Sequence, residues 1–133
     1  MKRKTKFLFK ELENIFEIEE RQEGGIVVER TKQIAEYYEY DAQSRQCVEE
    51  MAELTKALNK FWRKNLLCGE VKLTPDLIER LKQTPEYTDV LEEVADVQIM
   101  LNQILYLLDM DISEMVEFKL QRQIERIDSE CSN

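Results

Sequence analysis

The sequence predicts an all-α fold, and three observations carry that prediction. There are only three glycines and two prolines in 133 residues, too few for the closely spaced turns of a β fold. Charged residues make up 35% of the chain beside 43% hydrophobic ones, the balance expected of helices with one solvated face. Apolar residues recur at three- and four-residue spacing over long stretches, and no segment reads as a convincing strand. Ile26-Val27-Val28 is too short to count as one. The length fits a single domain with a real core.

The elements follow in order. Residues 1–23 read as an amphipathic helix with Phe7, Leu8, Leu12, Ile15, Phe16 and Ile18 on its apolar side. Gly24-Gly25 then breaks the pattern, so residues 1–28 are assigned to an N-terminal helical extension that packs on the main body, and residues 29–133 to the domain proper. A second helical pattern runs from Val28 to Tyr40, with Tyr37, Tyr38 and Tyr40 expected to pack it. Asp41 is placed to cap a long helix over 42–64, which closes with Arg63 and Lys64 where cations suit the helix dipole. Thr74-Pro75 and Thr84-Pro85 each read as an N-cap followed by proline at the first helical position. The first opens a short helix ending near Lys82, the second a long one over 85–109. Asp111-Ile112-Ser113-Glu114 resembles a capping box that opens a last helix to about Ile127, with a fraying polar tail after it.

Composition also excludes mechanisms. With no histidine, no Ser-His-Asp or Cys-His nucleophile, no His-ligated zinc or haem and no histidine base is available. Three glycines cannot supply a phosphate-binding glycine loop. A formal net charge of -9 argues against general nucleic-acid or membrane-surface binding. Cys47, Cys68 and Cys131 match no metal or redox spacing and read as reduced thiols of a cytoplasmic protein. The basic start, Met1 to Lys6, lacks the apolar stretch of a signal peptide, and no run is long enough to span a membrane.

The strongest functional signal is a pair of acidic motifs. Glu49-Glu50-Met51-Ala52-Glu53 lies on the first long helix and Glu92-Glu93-Val94-Ala95-Asp96 on the second. Spacing of three residues sets Glu50 and Glu53 on one side of their helix, and Glu93 and Asp96 on one side of theirs. Facing each other, four carboxylates would repel unless a cation lay between them, and hard oxygen ligands suit Mg²⁺ or Mn²⁺. The alternative is a chance pair on a solvated surface. Glu93 and Asp96 fall at the edge of an apolar stripe formed by Val90, Val94, Val97, Leu101, Ile104, Leu105 and Leu108, in line with Met100, Ile104 and Leu107. On the first long helix, Val48, Met51, Thr55, Leu58 and Trp62 are expected to form the core stripe. Gln46, Glu50, Glu53, Ala57 and Phe61 point away from it, either lining a cleft or facing solvent. Lys119, Arg122 and Arg126 form a basic stripe on the last helix, fit either to hold phosphates or to make surface salt bridges.

Glu50-Met51-Ala52-Glu53, followed by Glu93-Val94-Ala95-Asp96 within Leu91 to Val97, resembles the paired ExxE and ExxD motifs of the all-α nucleoside triphosphate pyrophosphohydrolases. The MazG-like branch is closest, with dimeric dUTPases and dCTP pyrophosphatases as relatives. Asp96 to Leu101 and Phe118-Lys119-Leu120 with Arg122 add to the likeness, which covers roughly residues 31–127. The two motifs stand further apart here than is usual for that family, and the insert holds the helix after Thr74-Pro75. The resemblance implies a four-helix core assembling into homodimers or homotetramers. It also implies Mg²⁺-dependent hydrolysis of an NTP or dNTP to monophosphate and pyrophosphate, a possible nucleotide-pool house-cleaning role. Carried onto this chain, it makes Glu50, Glu53, Glu93 and Asp96 metal ligands and Glu49 or Glu50 the general base. Gln46, Lys119 and Arg122 become substrate contacts. Two other readings stand beside it: a non-catalytic helical module that binds a protein through Phe7–Ile18, and a nucleotide sensor that binds without turnover.

Overall fold

The computed structural model describes residues 22–66 and 72–132, with side chains from Gly25 onward. The fold is all-α. Its described helices are α1 (Gln22–Asn65), α2 (Pro75–Leu81), α3 (Pro85–Leu107) and α4 (Ser113–Cys131), with no strand among the described residues. The expected helix over residues 1–21 lies outside them. No described helix is long and apolar enough to cross a membrane.

Cap chemistry explains where the later helices begin. Thr74 and Thr84 have extended backbones, and their side-chain oxygens accept hydrogen bonds from the amides of Leu77 and Tyr87 at 3.3 and 3.2 Å. Pro75 and Pro85 follow, where a missing amide costs nothing. The capping box before α4 takes another form. Ile112 occupies the cap position, and Asp111 instead accepts from the Ser113 amide at 3.0 Å and from the Ser113 hydroxyl. α3 ends in a Schellman motif: the amide of Met110 bonds the Leu105 carbonyl at 2.9 Å and that of Asp109 bonds Tyr106 at 3.2 Å. Asp109, at φ 50°, takes the left-handed position usually given to glycine. α4 runs on to Cys131, beyond the end expected near Ile127.

α1 departs most from expectation. It continues through Gly24 and Gly25, and its single break falls at Glu39, with φ 65° and ψ 174°. Asp41 is therefore inside the helix that follows the break and does not cap it. The break makes a hairpin. Thr31 and Phe61 line the same groove, whereas on a straight helix they would stand ~45 Å apart.

Both arms lie against α3. Arm 40–65 runs antiparallel to it: Gln43 Nε2 donates to Gln103 Oε1 at 2.5 Å, Lys60 pairs with Asp89 at 3.7 Å, and Phe61 meets Tyr87 edge-on at 6.5 Å. Arm 22–38 runs parallel to α3, with Tyr106 donating to Glu36 and Lys32 standing over the Tyr106 ring at 5.8 Å. The contact between α1 and α3 is the only extensive helix–helix contact among the described residues.

The core is small and sits along this contact, with Ala35, Cys47, Ala57, Val97, Met100 and Leu105 buried beside Thr31, Gln43, Asn102 and Gln103. The expected core stripe of α1 is on the outside. Val48, Met51, Leu58 and Trp62 are exposed, Trp62 to 54%. Tyr37, Tyr38 and Tyr40 are exposed too, rather than packing their helix. The side of α1 that faces α3 carries Gln43, Cys47, Glu50, Leu54, Ala57 and Phe61, the direction in which a cleft or a solvated face was anticipated. Small residues win that side because Ala35, Cys47 and Ala57 let the helices approach closely.

Candidate functional site

The antiparallel register of arm 40–65 and α3 sets the acidic motifs opposite each other. Pairs Gln43–Gln103 and Lys60–Asp89 bracket the middle of the contact, and Glu50, Glu93 and Asp96 fall between them. One carboxylate oxygen from each of these three lies within 4.8 Å of the others. Glu50 and Glu93 are half-buried and Asp96 is exposed, so the cluster opens to solvent on one side.

The electrostatics are those of crowded anions. Loss of hydration pushes the Glu93 carboxyl above its usual range, and the negative charges of Asp96, Glu50, Glu53 and Glu92 push it further. Gln46 Nε2 donates to Glu50 Oε1 at 2.6 Å, one turn away on α1, which holds that carboxylate in place.

Three of the four expected ligands thus converge. Glu53 does not join them in this structure. It turns to Lys56, whose Nζ lies 3.3 Å from its Oε2, although its charge is still felt at Glu93. Glu49 is exposed beside the cluster. Lys119 and Arg122 gather with Gln123 and Arg126 around a shallow hollow of about 150 Å³ on α4. Arg122 stands over the Phe118 ring at 5.8 Å. No ion pair or hydrogen bond among the described residues joins these cations to the three carboxylates.

Periodicity left the polar girders of the site unseen. Gln103 is 1% exposed and, with Gln43, carries the hydrogen bond across the helices. A glutamine looks like surface in a hydrophobicity pattern, and its burial depends on a partner sixty residues away. The Lys60–Asp89 pair, 29 residues apart, carries no local sequence signal either.

The cluster gathers oxygen donors of the type that could hold a divalent cation. Three carboxylate oxygens from two helices are hard donors, and their separations of up to 4.8 Å exceed the ~4.2 Å between opposite ligands around Mg²⁺, so the side chains would have to draw together to hold one. Cys47 is buried and lies outside this cluster, and burial pushes its thiol up. Cys131 is exposed at the end of α4, and Cys68 lies outside the described residues. No family model, curated protein or solved structure matches this chain.

Proposed function

We propose that this protein is a Mg²⁺-dependent nucleoside triphosphate pyrophosphohydrolase of the MazG-like, all-α type, cutting an NTP or dNTP to monophosphate and pyrophosphate. The observation that carries the reading is the convergence of Glu50, Glu93 and Asp96 within 4.8 Å across two antiparallel helices. In a chain without histidine, carboxylates are the ordinary side chains left to hold a cation and take a proton near neutral pH.

Glu50, Glu93 and Asp96 would hold the metal, and Glu53 would join by a rotamer change that releases Lys56. Mn²⁺ would be accepted by the same oxygens. The bound metal supplies charge neutralisation for the triphosphate and an acidified water. Glu49, or Glu50, would take the proton from the attacking water, and Gln46 would orient Glu50 and reach the substrate. Lys119 and Arg122 would contact phosphates. Exposed apolar residues on α1 and α4 support the homodimer or homotetramer that the resemblance implies, because such faces need covering. The location would be cytoplasmic.

The test is a panel of NTPs and dNTPs with Mg²⁺, reading monophosphate and pyrophosphate. Asp96→Asn should lower Mg²⁺-dependent turnover by ~100-fold or more. Turnover unchanged in Asp96→Asn and Glu50→Gln would overturn the site, and metal-dependent binding without products would favour a sensor.

A further inference from the structure

α4 makes no extensive contact with another described helix, and its apolar line of Leu120, Ile124 and Ile127 is more than half exposed. The same chain carries a bare apolar groove of about 770 Å³ along α3, with Val27 of α1, Ile78 of α2, and Tyr87, Leu91 and Val94 of α3 among its walls. Leu91 is 57% exposed and Val94 49%. At ~100° per residue, Leu91, Val94 and Gln98 lie well round α3 from Glu93 and Asp96, so the groove is separate from the candidate metal centre. No α4 residue of the same molecule lines it, and the hydrogen-bonded turn from Leu105 to Met110 sets the direction in which α4 leaves α3. An apolar helix and an apolar groove that do not meet within one molecule can meet between two.

We propose that α4 of a second copy of this chain fills the groove, each copy lending its α4 to the other in a two-fold dimer. Three observations select this occupant. The first is length. From Tyr87 to Asn102 the groove follows α3 for ~22 Å, and the apolar line of α4 from Val116 to Ile127 measures ~17 Å. The second is area. Half-exposed aliphatic side chains each leave roughly 90 Å² to bury, so one docking covers on the order of 800 Å² over both surfaces and two reciprocal dockings on the order of 1,600 Å². The smaller figure is that of a casual packing contact and the larger that of a stable dimer, so mutual exchange is required. The third is charge. Lys119, Arg122 and Arg126 flank the α4 apolar line on one side and make no ion pair among the described residues. The stretch from Pro75 to Glu92, which supplies α2 and the start of the α3 wall, is acidic, with Asp76, Glu79, Glu86 and Glu92 against Arg80 and Lys82. The other large bare surface, the outer stripe of α1 with Leu58 and Trp62, belongs to a stretch carrying Lys56, Lys60, Arg63 and Lys64 and no acid, which repels the basic edge of α4.

The experiment uses the full chain with a photo-crosslinking phenylalanine derivative in place of Leu91, and a second sample with it in place of Val48 on the outer stripe of α1. Equal amounts of isotopically light and heavy protein are mixed and left to exchange before irradiation, and crosslinked peptides are mapped by mass spectrometry. The expected result is a light–heavy crosslink from position 91 to residues 116–127, absent from position 48, in a protein that sediments as a dimer. Leu120→Asp combined with Ile124→Asp should raise the dimer dissociation constant ~100-fold or more while the helical circular dichroism is kept. Arg126→Glu, a milder change, should raise it ~2–5-fold at low salt and less at high salt. A monomer at every concentration, crosslinks from position 91 confined to one molecule or reaching residues 1–21 of either copy, or α4 captured from position 48 instead would each overturn the proposal. So would a dissociation constant unmoved by the two aspartates and by Arg126→Glu. None of these readouts involves turnover, so the dimer contact stands or falls apart from the proposed activity.

Discussion

α3 and α4 are two amphipathic helices of comparable length with opposite fates. α3, of 23 residues, buries Val97, Met100, Asn102, Gln103 and Leu105 between the arms of α1. α4, of 19 residues, buries nothing, and Leu120, Ile124 and Ile127 are each more than half exposed. The α4 apolar line is as regular as that of α3. Amphipathy therefore states that a face is suited to cover, while a helix is buried only where another element arrives. Arm 40–65 of α1 holds the same contrast within one helix. Its side with Ala57 and Cys47 is packed, and its bulkier side with Trp62 and Leu58 is bare.

The largest expected effect tests that contrast directly. Met100→Ala in α3 removes a buried side chain and should cost ~2–5 kcal/mol in urea unfolding. Leu120→Ala in α4 should cost less than ~1 kcal/mol in dilute protein. If α4 is covered in an assembly, the Leu120→Ala cost should grow with protein concentration, and a flat response would set α4 outside any interface.

A smaller effect concerns the hinge that brings both arms to α3. Glu39 sits at φ 65° and ψ 174°, a conformation open essentially to glycine. Glu39→Gly should stabilise the fold by ~1 kcal/mol, read as a raised urea midpoint with unchanged slope. A loss instead would show that the Glu39 side chain supports the hairpin.

The smallest effect is electrostatic and opposite in sign to burial. The Glu93 pKa is raised in the folded state, so folding favours the protonated form. Its contribution is therefore unfavourable above the folded value and is relieved as pH falls through it. Glu93→Gln should make the metal-free protein more stable at neutral pH, with the difference from wild type shrinking on acidification. Chemical denaturation at several pH values checks this, and a variant less stable at neutral pH would contradict the crowded-anion reading.

Local signals were legible in the sequence and non-local ones were not. Thr74-Pro75 and Thr84-Pro85 announced their helices because a cap is a contact between residues three apart. The acidic motifs were visible for a similar reason, since each lies within one turn of helix. The reversal at Glu39 carried no such mark, having neither glycine nor proline. The glycine pair nearby, an obvious candidate for a break, is helical because its conformational freedom permits a turn without requiring one. Hydrophobicity pointed to the Trp62 stripe as the core face of α1, whereas close approach to α3 favours alanine, cysteine and glutamine.

The sequence by itself determined an all-α chain, the starts of α2 and α3, and the pairing of residue types at the acidic motifs. These depend on backbone hydrogen bonding and side-chain spacing within a few residues. Only the tertiary structure decided that α1 doubles back, which of its faces is core, and that Glu50, rather than Glu53, meets Glu93 and Asp96. Those outcomes rest on which helices touch, and the register of that contact is fixed by Gln43–Gln103 and Lys60–Asp89, pairs far apart in sequence.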